Sequence, residues 1–126
     1  MIPDGLKYTR EHLWVRVDQH VVTLGVTQHA QEQLGDVVFV DLPDIDRKLK
    51  AGEGIVALET VGKTTNMSCP VSGTVIEVNE ELVQHPEKVN DSPYEEGWIV
   101  KLKVGNPDLS KLLDAAGYEK LIAQKP

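Results

Sequence analysis

Six apolar runs of six to eight residues, each closed by turn-forming residues, constrain this chain more than any other feature. They are HLWVRV (His12 to Val17), VVTLGV (Val21 to Val26), VVFVDL (Val37 to Leu42), IVALET (Ile55 to Thr60), VSGTVIEV (Val71 to Val78) and WIVKLKV (Trp98 to Val104). Runs of this length, rich in β-branched residues and bounded by Gly, Pro and Asp, read as short strands. Strands this short must pack sheet against sheet to bury enough apolar surface, so the chain is expected to be mainly β. The polar turn at Asp18-Gln19 predicts a hairpin between the first two runs. Pro43 ends the third, because proline has no N–H to give to a ladder. The fourth and fifth runs read as the two arms of a second hairpin. VGKTTNMSCP lies between them, with Gly62 supplying turn geometry and Pro70 and Gly73 marking re-entry into the sheet.

Helices are expected only as trim. Thr27 is a plausible N-cap for a short helix near 28–34, with Ala30 and Leu34 one turn apart and Gly35 at its C-terminal end. Asp44 to Glu53 reads as a loop, and Asn79 to Gly97 as a long polar connection holding a helical turn. Asn106-Pro107-Asp108 predicts the start of C-terminal helices. Leu109, Leu112, Leu113 and Ala116 would form the apolar face of the first, Gly117 would interrupt it, and Tyr118, Leu121 and Ile122 would mark a second. The expectation is one domain spanning residues 1–126.

The charge bears on partners. A formal net charge of −7 with a pI near 5.0 is repelled by phosphate backbones and anionic bilayers, so neither nucleic acid nor membrane is an expected partner. No apolar stretch is long enough to span a bilayer. The single cysteine, Cys69, rules out an internal disulfide framework, and the N-terminus has no signal-like pattern. These features favour the cytoplasm, and a monomer is expected.

Longer motifs then narrow the reading. Y-T-R-E-H-L-W (Tyr8 to Trp14), G-V-T-Q-H-A-Q-E-Q-L-G-D-V-V-F-V-D-L-P (Gly25 to Pro43), P-V-S-G (Pro70 to Gly73), S-P-Y-E-E-G-W (Ser92 to Trp98) and the L-L-D-A-A-G-Y-E ending follow one another along nearly the whole chain. In this order they resemble the H protein family of the glycine cleavage system. The resemblance implies a lipoyl-domain fold, a flattened β-barrel or sandwich hybrid of two antiparallel sheets. It implies a non-catalytic carrier with lipoate attached covalently to Lys63 at an exposed hairpin tip, in the turn context of Glu59 and Gly62. A lipoate ligase or lipoyltransferase would load that lysine, and the enzymes of a multi-enzyme system would then visit the arm.

Two departures from the family pattern bear on the cargo. The family reads E-S-V-K-A around its lysine, whereas this chain reads E-T-V-G-K-T at Glu59 to Thr64, which moves the lysine one residue onward. The family reads H-E-W where this chain has His12-Leu13-Trp14, and Asn66 stands where an acid is common. Leu13 cannot pair with a cationic aminomethyl group. These changes favour a carrier of sulfur intermediates, similar to the H-like lipoate-binding proteins that serve heterodisulfide-reductase-like sulfur oxidation. A glycine cleavage carrier of the aminomethyl group is the alternative, and an unlipoylated interaction module a further one. Biotin carriers favour M-K-M, which is absent here. Cys69 reads as a small, partly buried residue. The four histidines (His12, His20, His29, His85) fall on different elements without metal-ligand spacing, and Asp41, Asp44 and Asp46 read as a solvated loop.

Overall fold

The first two apolar runs form strands joined by the expected hairpin at Asp18-Gln19. In this computed structural model, which describes residues 2–124, β1 (Lys7–Tyr8), β2 (Leu13–Asp18) and β3 (Val21–Val26) form a meander. Leu13, Trp14 and Val15 are all buried although they alternate in direction, because β2 has a core on each side. Leu13 and Val15 enter the main core between the sheets. Trp14 enters a smaller one with Leu6, Tyr8 and Tyr118.

The helix expected at 28–34 is present as α1 (Gln28–Leu34). The Thr27 side chain accepts the Ala30 N–H at 3.1 Å, and Gly35, at φ +81°, donates its N–H to the Gln31 carbonyl. Beyond it come β4 (Phe39–Asp41), β5 (Lys48–Leu49), β6 (Gly54–Thr60), β7 (Lys63–Ser68) and β8 (Gly73–Val78). Two single-turn helices, α2 (Glu81–Gln84) and α3 (Lys88–Asp91), punctuate the polar connection before β9 (Val100–Lys103) and α4 (Ala115–Ala123).

The strands form two antiparallel sheets, as expected for the sandwich. One has six strands in the order β1-β2-β3-β9-β8-β5, and the other three in the order β4-β6-β7. The expected second hairpin is corrected. The partner of β6 is β7, inside the stretch read as a connection, while the Val71 to Val78 run supplies β8 in the other sheet, between β9 and β5. β7 was hidden because its sequence, KTTNMS, is polar. It is an edge strand whose outward side chains meet solvent, and of its inward positions only Met67 is apolar. The loop expected at 44–53 also contains the two-residue strand β5.

The C-terminal expectation is corrected too. Residues 106–113 are not helical: the segment turns at Ser110-Lys111 and ends in a β-bridge, where Leu113 and Tyr8 exchange backbone hydrogen bonds (2.7 and 2.8 Å). Gly117 does not interrupt a helix but sits in the first turn of α4, where its N–H donates to the Asp114 carboxylate at 2.8 Å and caps the helix. Among the described residues, no helix is long and apolar enough to cross a membrane.

Candidate functional site

The β6–β7 hairpin carries the lysine singled out in the sequence. Its ladder ends in the pair Thr60–Lys63, so the turn consists of Val61 and Gly62 alone. Gly62 takes φ +79°, a left-handed value at which any L side chain is strained. Val61 is 89% exposed, which places it at the apex. Lys63 is exposed, and its ammonium has no hydrogen-bond or ion-pair partner among the described residues. Lysine is a strongly hydrated point charge on a flexible stem, so this position leaves the amine free to be presented to another molecule.

The base of the hairpin is rigid where the tip is open. Val40 on β4, Leu58 on β6 and Met67 on β7 are buried at 2%, 0% and 4% exposure, and they pin the three-stranded sheet to the main core. The ladder sorts the tip residues onto two faces, since directly opposed residues share a face and neighbours along a strand do not. Phe39, Glu59 and Thr64 form one outward row, while Val40, Leu58 and Thr65 form the inward row below Thr60 and Lys63. Glu59 is therefore beside the lysine in sequence but across the hairpin from it. Its backbone carbonyl accepts the Val38 N–H at 2.8 Å, tying the tip to the segment before β4. In the lysine's row the Thr65 hydroxyl oxygen is buried and unpartnered among the described residues.

Leu13 and Asn66, where the sequence departs from the family pattern, lie in different surroundings. Leu13 is 1% exposed, opposite Val26, and its side chain belongs to the main core rather than to an open pocket. Asn66 is exposed on β7 opposite Ala57, where it lines a shallow depression with Asp41, Asp44 and Arg47. Cys69 is buried, not half-open: its thiol donates to the Val71 carbonyl at 2.8 Å, and burial pushes its pKa up. A thiol so held is a poor nucleophile.

The tertiary structure also assembles a cluster that sequence spacing did not reveal. Two of the histidines read as scattered, His12 and His29, bring their rings to 4.8 Å. His12 Nδ1 lies 2.8 Å from the Tyr118 hydroxyl, which is 2.7 Å from Thr27 Oγ1. Burial among apolar neighbours pushes Tyr118 up to about 12. The cluster joins Tyr118 on α4 to the Thr27 cap of α1, 91 residues away, and to His12, 106 residues away, so no local motif could have announced it. Among the described residues no group of three or more histidine, cysteine or acidic side chains is placed to hold a metal ion.

With this geometry in view, comparison with known proteins is informative. A family model for the glycine cleavage H-protein matches residues 6–125. The chain is 49% identical over 119 residues to a glycine cleavage system H protein of Symbiobacterium thermophilum, covering 94% of this chain and 93% of that one. It is 50% identical over 124 residues to the Chromohalobacter salexigens protein of the same name, covering 97% and 95%. The crystal structure of a glycine cleavage system H protein from Mycobacterium marinum superposes with a TM-score of 0.90 at 30% identity, covering 97% of this chain and 99% of that one. These relatives carry the glycine cleavage alternative, and none of the three is named for sulfur oxidation, the reading that Leu13 and the shifted lysine had favoured.

Proposed function

Because this chain belongs to the glycine cleavage H-protein family, we propose that it works in glycine cleavage as a single-domain cytoplasmic carrier of residues 1–126, lipoylated on Lys63. Members of the family are non-catalytic and carry lipoate covalently on a lysine, in partnership with the glycine cleavage enzymes and lipoyl ligases. The observation that carries the assignment to Lys63 is its place: the first residue after a two-residue turn, exposed, unpartnered among the described residues, on a sheet anchored by Leu58.

The residues present fit the group. An attached arm needs a lysine whose Nζ is open to a ligase and whose backbone is fixed, and this hairpin supplies both. When bound, lipoate supplies a strained, readily exchanged disulfide and the thiols that accept a transferred group. The chain's own contribution is position. Val61 at the apex gives partner enzymes an apolar contact beside the lysine, while Phe39, Asp41 and Glu59 present a mixed apolar and acidic surface on the other face of the hairpin sheet. A lone cysteine held inside the core is compatible with a reducing compartment.

A second reading concerns only the cargo. The replacement of the family acid by Leu13 suggests a cargo without positive charge, such as a sulfur intermediate, but the Leu13 side chain is packed into the core and meets no open pocket, so glycine cleavage stays the preferred reading. Both readings require the same loaded lysine. Intact mass spectrometry after incubation with lipoate, ATP and a lipoate ligase tests it: one lipoyl group is expected on the wild type and none on Lys63→Ala. Uptake by Lys63→Ala would refute the site. Turnover of the loaded protein with the glycine decarboxylase decides the cargo; failure there, together with loading by a sulfur-transfer system, would reverse the preference.

A further inference from the structure

Glu59 and Lys63 leave the hairpin on opposite faces, and one residue causes it. Glu59 lies in the outward row, opposite Phe39 and Thr64. Lys63 lies opposite Thr60, in the row that continues into Leu58, Thr65 and Met67. Alternation along a strand has a period of two, so shifting a residue by one place exchanges its face. Gly62 sets the place. At φ +79° it completes the turn straight after Val61, making residue 63 the first position of the ladder. A Cβ at position 62 would meet nothing within 4 Å, so glycine is there for its backbone conformation and not for lack of room.

We infer that Gly62 is a specificity-determining residue: by setting Lys63 on the face of Thr60 and across the hairpin from Glu59, it selects the acylating enzyme that loads this chain. The inference rests on Lys63 being the attachment residue. Acylation joins the lipoyl carboxyl carbon to Nζ, expels the leaving group of an activated acyl donor and releases one proton from the amine. An enzyme doing this holds Nζ at its acyl donor and grips the hairpin through side chains on the side it approaches. Approaching Lys63, it meets Thr60 and the apex at Val61, with the two-stranded ribbon standing between it and the Glu59 carboxylate. An enzyme that anchors on that carboxylate, and expects the lysine in the turn beside it, loses a charge-assisted hydrogen bond here. One such bond formed in the transition state is worth about ten- to a hundredfold in rate.

The test moves the lysine back into the turn. Wild type, Gly62→Lys/Lys63→Ala and the Glu59→Gln version of each are incubated with lipoate, ATP and a lipoate ligase that loads a glycine cleavage H protein bearing an E-S-V-K-A tip. Initial rates are read by intact mass and the modified residue by peptide mass, with thermal melting to verify that each variant is folded. The double variant is expected to load about ten- to a hundredfold faster than wild type, and Glu59→Gln to slow the double variant while leaving wild type unchanged. Equal rates for the two tips, slowing of both by Glu59→Gln, or no loading of either would overturn the inference. Should the double variant fail to fold, Glu59→Gln alone decides: slower loading of Lys63 by any ligase that loads the wild type overturns it. Loading of wild type at a lysine other than Lys63 would instead refute the carrier assignment.

Discussion

Truncating Leu58 to alanine separates the rigid base of the hairpin from its open tip. Leu58 is fully buried in the middle of β6, between Val40 on β4 and Thr65 on β7, and it packs into the main core. Removing its branched end costs the transfer energy of the lost carbons plus that of the cavity they leave, about 3–5 kcal/mol at such a site. For a chain of this length one kcal/mol moves Tm by about 4 °C, so Leu58→Ala should melt roughly 10–20 °C below wild type. Val61→Ala, three residues away, removes side-chain atoms that are 89% exposed. That change should stay within about 0.5 kcal/mol, or roughly 2 °C. The assay is thermal unfolding by circular dichroism on both variants, paired with intact-mass measurement of lipoyl loading well below either midpoint. Both should still load at Lys63, since neither change touches the lysine or closes the turn. A drop of less than about 4 °C for Leu58→Ala would refute the argument that the three-stranded sheet is pinned through this residue. So would an equal drop for Val61→Ala.

Other predictions follow from the same contacts. Thr27→Ala removes both the N-cap of α1 and the bond to the Tyr118 hydroxyl in a buried setting, and should cost about 1–3 kcal/mol by denaturant titration, with Thr27→Ser restoring most of it. Gly25→Ala places a Cβ 2.5 Å from Trp14 Cε2, inside van der Waals contact, so it should destabilise by about 1–3 kcal/mol and alter tryptophan fluorescence. Tyr118 ionises near 10 when unfolded and at about 12 when folded, so the folded state holds its proton more tightly. That contribution to stability is complete below pH 10 and is lost as the pH rises from 10 to about 12, so alkaline melts of wild type should fall more steeply than those of Tyr118→Phe.

Much of the strand content was legible because apolar, β-branched runs and turn residues are local signals. Leu13 to Asp18, Val21 to Val26 and α1 with its Thr27 cap lie where the sequence puts them, each specified by its own residues. β7 was not legible, because a polar edge strand hides its single apolar inward residue, Met67, among threonines and an asparagine. Residues 106–113 carry good helix-start residues, yet the paired backbone bonds to Tyr8 outweigh that local preference. The pairing of His12 with His29 was invisible for the same reason: it depends on packing between elements remote in sequence.

By itself the amino-acid sequence determined that this chain is mainly β, that α1 is capped by Thr27, and that a glycine-lysine pair sits at an exposed tip. Tertiary structure alone decided which strand forms the other arm of that tip, and therefore that Lys63 opens β7 and faces away from Glu59. The physical reason is that periodicity reports which side chains seek the core, whereas a ladder is made by a partner strand that the run itself does not name. A register one residue different would leave the composition and almost every local preference unchanged, and would put the lysine on the other face.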